Sequence, residues 1–231
     1  MLVDIFSSFD DQNQVFLSLY GLVWIFSLTV TLIFRRSYWV KGPRWNEIIL
    51  IFKDTVARQV RRSYGANLGG FIGIISGLFL FIIFINLIGL VPYVFSATSH
   101  LAISFSLGFP LWLSLIISGV LSAPSSVVAA LLPIGTPAAL NPFLVLIETV
   151  SIIARPVTLS VRLMANIRAG HIVLTLIGNY LTTRIFFLPS LSIVILLGIQ
   201  VFYTVFEFGI GVIQAYIFCL LITLYSDEHP H

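Results

Sequence analysis

The chain has 231 residues, of which 58% are hydrophobic and only 9% charged, with a mean hydropathy of +1.06. That balance leaves too little polar surface to coat a water-soluble globule, and it points to a polytopic membrane protein. The net charge of +3 does not speak for nucleic acid, because 8 of the 12 Lys and Arg lie between Arg35 and Arg62; a local excess of this kind marks membrane topology.

From the start of the chain, Met1 to Gln14 carries Asp4, Asp10 and Asp11 and no Lys or Arg, so neither a signal peptide nor an Arg-rich transit segment is expected. Insertion in a bacterium, or directly from inside an organelle, follows from that. Residues 15–34 form an apolar run ending at Arg35 and Arg36, long enough to cross a hydrocarbon core of about 30 Å as one transmembrane helix. Its basic end is expected on the side of insertion. In residues 44–62, Trp45, Ile48, Ile49, Phe52, Val56 and Val60 keep helical spacing, with Glu47, Asp54, Arg58, Arg61 and Arg62 mostly on the other face. This predicts an amphipathic helix in the inner interface or packed on other protein.

Residues 68–95 and 101–121 are apolar and separated only by the short polar stretch from Ser96 to His100, so a transmembrane hairpin is expected. Asn86, Pro92 and Tyr93 fall near the outer end of its first arm. Between Ser122 and Pro142, Pro124, Pro133, Gly135, Pro137 and Pro142 prevent a regular helix from continuing. Residues 142–180 and 189–225 are then apolar for nearly forty residues each. A helix of that length spans on the order of 55 Å, more than the common tilt of about 20° absorbs. One antiparallel hairpin, steeply tilted or nearly in the membrane plane, accounts for both runs. Splitting each run into two spans is the rival arrangement, but Pro156 has no charged turn beside it and reads as a kink. The expected fold is therefore an all-α membrane protein in a single integral domain, residues 1–231.

The long hairpin carries Glu148, Arg155, Arg162, Asn166, Arg168, His171, Glu207 and Gln214, groups that hydrocarbon does not tolerate without water or partners. Arg162 matters most, because a guanidinium cannot shed its charge and placing it at a bilayer centre costs about 2.5 to 3.5 kcal/mol on insertion scales. With the turn near Leu188 and Pro189, residues whose numbers sum to about 377 lie opposite one another, setting Arg162 against Gln214 and His171 against Glu207. Glu148, Arg155 and Arg162 share a helix face, whereas His171 points the other way. Two polar routes divided by a fixed positive charge are the pattern this makes. Gly209, Gly211, Ala165 and Ala169 are small enough to admit a neighbouring helix. Cys219, the single cysteine, is expected in the apolar core.

The run from Leu159 to His171, Leu-Ser-Val-Arg-Leu-Met-Ala-Asn-Ile-Arg-Ala-Gly-His, preceded by Ile147-Glu-Thr-Val-Ser-Ile-Ile-Ala-Arg-Pro156, resembles subunit a of the rotary F-type ATP synthases. So do Asn86-Leu-Ile-Gly-Leu-Val-Pro-Tyr93, Thr98-Ser-His-Leu101, Pro133-Ile-Gly-Thr-Pro137 and Ile213-Gln-Ala-Tyr-Ile-Phe218. The resemblance, to the mitochondrially encoded form, implies that Arg162 is the essential stator arginine facing a ring of c subunits. It implies that Gln214 sits beside Arg162, that His171 and Glu207 belong to an outer half-channel, that Glu148 belongs to a matrix half-channel, and that Asn166 belongs to the proton pathway. Arg155, Arg168 and Asn86 are further candidates. The partners implied are the c-ring, peripheral-stalk subunits including b, small membrane subunits of the subunit 8 type, the lipid bilayer and protons. The location implied is the mitochondrial inner membrane, with the N-terminus toward the intermembrane space and the C-terminus in the matrix.

The competing class is a self-contained proton channel or secondary transporter, but the chain has no internal inverted repeat. An intramembrane hydrolase lacks its Gly-x-Ser-x-Gly, His-Glu-x-x-His or paired intramembrane aspartates, and no phosphate-cradling Gly-rich Lys-Ser/Thr loop is present. No cofactor, nucleotide, nucleic acid or metal is expected, and no catalytic site of the chain's own.

Overall fold

A computed structural model describes residues 44–67, 69–91, 96–131, 140–184 and 190–227, and all regular structure among them is helical. The transmembrane helix expected over residues 15–34 lies outside the described residues, as do Pro92, Tyr93, Pro133, Gly135, Pro137 and the turn at Leu188 and Pro189. The helices are α1 (Arg44–Val60), α2 (Phe71–Gly89), α3 (Leu101–Ser122), α4 (Pro124–Ala130), α5 (Asn141–Arg184) and α6 (Ser190–Asp227), with short 3-10 turns at Tyr64–Asn67 and Ala97–Ser99. Among the described residues, α2, α3, α5 and α6 are long and apolar enough to cross a membrane. In hydrocarbon the helix is the form that lets a single segment satisfy its own backbone groups, which is why Ile-rich and Phe-rich α2 is helical despite its β-branched content.

Helix ends follow local chemistry. Ala123 leaves the helical region, at φ −150° and ψ 78°, because a residue before proline is crowded out of it; Pro124 then opens α4 from the first helical position, where its missing N–H costs nothing. The proline-rich stretch is thus not wholly irregular. Pro156, in contrast, lies within α5 without ending it, and Ser160 Oγ donates to the carbonyls of Pro156 at 2.8 Å and Val157 at 3.0 Å. At about 1.5 Å per residue, α5 is about 66 Å long and α6 about 57 Å.

The core is built on this antiparallel pair. Leu159, Leu163 and Ile167 form a buried stripe at helical spacing on α5, and Ala215, Phe218, Cys219 and Ile222 form one on α6. Helix α2 adds Phe71, Ile75, Phe79, Ile82 and Ile83, and α1 closes the cluster with Val56 and Val60. The Cys219 thiol sits 3.8 Å from the Ile75 carbonyl. The two segments expected as a transmembrane hairpin are the helices α2 and α3, on either side of the polar turn. Helix α2 packs chiefly on α6 and α1, whereas α3 packs chiefly on α5. Gly108 belongs to the face that α3 turns to the long pair: a side-chain carbon there would stand at contact distance from Leu159, 3.4 Å, and Phe218, 3.6 Å.

At one end of the bundle α1 is tied to the end of α6 by the Tyr64 N–H, which donates to Asp227 Oδ1 at 2.8 Å. Arg61 and Arg62 lie at this basic end, exposed. Elsewhere α5 and α6 leave large apolar side chains uncovered, among them Ile153, Val194, Phe202 and Val205, as suits lipid or further protein.

Gly108→Ile is expected to force α3 away from Leu159 and Phe218 and to cost about 1 to 3 kcal/mol, read as a lower detergent-unfolding midpoint. Gly108→Ala, whose added carbon would stand 3.4 Å from Leu159, is expected to be tolerated. Equal midpoints for the two would show that α3 is not seated by its glycine.

Candidate functional site

Polar groups follow one another along α5 and α6 in separate stations. Nearest the basic end, Arg155 Nη2 lies 3.6 Å from Glu148 Oε1, two helical turns earlier on the same helix, and its guanidinium carbon lies 5.3 Å from the centre of the Tyr225 ring on α6. A carboxylate on one side and the negative face of a ring on the other give this cation the surroundings that hydrocarbon denies it. The Glu148 side chain keeps 40% of its surface and is open to water.

Two turns beyond Arg155, Arg162 is exposed on α5 and makes no hydrogen bond or ion pair with any described residue. Ala154, Thr158, Ala165 and Ala169 share its face at spacings of three and four residues and are also exposed. A long cation therefore stands clear of a surface of small side chains. The helix can present it because the opposite face, Leu159, Leu163 and Ile167, is locked in the core. No helix among the described residues covers Ala165 and Ala169, and Gly209 likewise has nothing within 4 Å of a built side-chain carbon.

One turn on, Asn166 Nδ2 donates to Gln214 Oε1 at 2.7 Å. Gln214 is thus held by Asn166, one helical turn from the partner expected, Arg162. The long helices bring Tyr225 to Arg155, Gln214 to Asn166, Glu207 to Gly170 and Gln200 to Gly178. At the Glu207 level the approach is tight: the carboxylate of Glu207 lies directly on the α-carbon of Gly170, where any side chain would overlap it. His171, next to Gly170 along α5, is half-buried. Glu207 is 1% exposed and neither of its oxygens has a hydrogen-bond partner among the described residues. A buried carboxyl in that position calls for internal water or a proton at its side.

Asn86 reaches this level from α2. Its Nδ2 donates to the Gly211 carbonyl at 3.1 Å, one turn along α6 from Glu207, and Gly211 is the close approach between the two helices. Arg168 is half-buried on α5. The arrangement thus separates Glu148 with Arg155 at one station from Glu207, His171 and Asn86 at another, with Arg162 between them in sequence along α5. The fixed cation between them can hold an anion and cannot itself carry a proton.

Gly170 and Tyr225 escaped the sequence reading. Gly170 was recoverable from the antiparallel pairing, which puts it opposite Glu207; Tyr225 gave no signal apart from its place near the chain's end. The small residues flanking Arg162 are visible in sequence only once its face is known to be uncovered.

Residues 15–227 match the family model described as ATP synthase A chain. The chain is 39% identical over 233 residues to ATP synthase subunit a of Artemia franciscana, covering 99% of this chain and 100% of the relative. It is 38% identical to ATP synthase subunit a of Aedes aegypti and 40% identical to that of Drosophila mauritiana, in each case over 99% of both chains.

Gly170→Ala is expected to push the Glu207 carboxylate off α5 and to destabilise the helix pair by about 1 to 3 kcal/mol. Gly178→Ala is the control, since its added carbon would stand 3.7 Å from Gln200 Nε2. Thermal unfolding of the solubilised protein should separate them, and a Gly170→Ala midpoint matching that of Gly178→Ala would show that the contact with Glu207 is not sustained.

Proposed function

Because the chain belongs to the ATP synthase A chain family, a multi-pass membrane component of the proton-translocating F0 sector, we propose that it is the stator subunit that passes protons to and from a rotating ring of carboxyl-bearing c subunits. The observation that carries this reading is Arg162 itself, an exposed guanidinium on a face of small side chains, with a polar station on either side of it along one unbroken helix.

A rotor carboxyl crossing lipid must be protonated, since ionisation there costs several kcal/mol or more. Beside Arg162 the balance reverses, because an opposite charge within about 4 to 6 Å lowers a carboxyl pKa by 1 to 3 units. The rotor group then releases its proton toward Glu148, on the matrix side. It takes the next one from His171 and Glu207, on the intermembrane side. Arg162 cannot relay a proton at any ordinary pH, so it keeps the two half-channels from joining into a continuous wire. Ions must travel with the ring. Each charge crossing the full potential supplies about 2.3 kcal/mol per 100 mV, which is the work available for rotation.

Asn166 and Gln214 orient the face beside Arg162, and Asn86 supports the outer station. Arg155, paired with Glu148 and stacked on Tyr225, holds the acid in place, and Arg168 is a further contact near the outer station. The basic cluster from Arg35 to Arg62 orients the chain: by the positive-inside rule α1 and the C-terminal end of α6 lie in the matrix, with the N-terminus in the intermembrane space of a mitochondrial inner membrane. The partners are the c-ring across the Arg162 face, and peripheral-stalk subunits including b and small subunits of the subunit 8 type on the remaining apolar surface.

In the assembled enzyme, Arg162→Ala should reduce proton-driven ATP synthesis to background while the protein still inserts. Arg162→Lys should also fall severely, because an ammonium is a compact charge that sheds its proton when desolvated. Normal coupled synthesis by Arg162→Ala defeats the assignment. Saturable proton transport by the reconstituted chain alone would favour a self-contained transporter instead.

A further inference from the structure

The turn between α2 and α3 buries polar side chains that belong to neither long helix. Thr98 and Ser99 have no exposed surface, and the turn Ala97–Ser99 packs on α5 and on the end of α2. A side-chain carbon at Gly89 would stand 3.2 Å from Ser96 Cβ, so the turn folds back over the last turn of α2. Hydroxyls in this chain commonly return their hydrogen to a carbonyl three residues back, as Ser99 does to Ser96 at 2.7 Å, and as Ser104, Ser114 and Thr149 do. Thr98 does not. Its Oγ1 is enclosed and has no hydrogen-bond partner among the described residues.

Two more groups in the same condition lie on α2 and α6. Asn86, one turn of α2 from Gly89, satisfies its amide hydrogen at Gly211 but leaves Oδ1 buried without a partner. Glu207, one turn of α6 from Gly211, leaves both carboxyl oxygens so. Three side chains from three elements, each at most 1% exposed, thus gather where the turn meets the helices: α2 and α6 run antiparallel, so Glu207 stands at the level of Gly89 beside the turn, and Asn86 lies about one 5.4 Å helical turn further in. Leaving such groups dry is costly, and together they offer the two to four polar partners that an internal water needs.

We propose that Thr98 is a positioning residue of the outer proton route: its hydroxyl and Asn86 Oδ1 hold internal water that joins the surface at the 96–100 turn to the Glu207 carboxyl. The inference rests on the reading of Glu207 as an outer-station group. The Thr98 hydroxyl donates to one water and accepts from another, so a proton passes along the water file with no net change at Thr98.

The test uses the assembled ATP synthase in membrane vesicles stripped of its soluble sector, with passive proton conductance as the readout. Thr98→Val keeps the shape and removes the hydroxyl; it is expected to lose about tenfold in conductance, equivalent to about 1.4 kcal/mol of barrier, and Thr98→Ser to restore it. Wild-type conductance in Thr98→Val overturns the proposal, since a dry threonine is replaced by valine without harm. Should Thr98→Val assemble poorly, Thr98→Cys in a Cys219→Ala background decides the matter: silver ion is expected to block conductance through a hydrated thiol, and its failure to do so overturns the proposal. Glu207→Gln separates the two levels. If it blocks conductance while Thr98→Val does not, only the role of Thr98 falls; if Glu207→Gln conducts normally, the outer-route reading of Glu207 falls with it.

Discussion

A charge or an unpaired dipole in hydrocarbon persists only where the protein itself supplies its surroundings, and the long antiparallel pair is this chain's means of supplying them. Tyr225 faces Arg155, Gln214 holds Asn166, and Glu207 rests on Gly170. Each contact lets α5 and α6 keep a polar group at a set position along their length. The remaining helices serve that pair: α2 and α1 brace α6, and α3 braces α5. What the bracing leaves uncovered is the strip of α5 that carries Arg162.

That division explains why the core is confined to one side. Leu159, Leu163 and Ile167 are buried while Thr158, Ala165 and Ala169, their neighbours in sequence, are exposed. In a self-sufficient membrane protein, small residues flanking an arginine would be the natural place for another helix of the same chain. Among the described residues none is there. The described helices leave the strip open, in a chain that belongs to the ATP synthase A chain family and so to a complex of several subunits.

Composition and hydropathy made the all-helical membrane character legible, because 58% hydrophobic content with 9% charge admits little else. The absence of a charged turn near Pro156 favoured a continuous helix, and α5 does run unbroken from Asn141 to Arg184. Which helices pack together was not legible: two apolar segments joined by a short link give no sign that α2 lies chiefly on α6 and α1 and α3 chiefly on α5. Likewise, Asn166 rather than Arg162 meets Gln214, since a pairing centred on an assumed turn carries an uncertainty of about one helical turn, 5.4 Å. Gly170 illustrates the general difficulty: its importance lies in the side chain it lacks, and this becomes visible only when Glu207 is seen to fill the space.

The unbroken course of α5 also has a mechanical meaning. Glu148 and His171 are separated along it by about 35 Å of continuous helix whose one internal proline is Pro156, so the interval between them is set by covalent length. Whatever passes from one polar station to the other must cover a distance that the chain itself measures out.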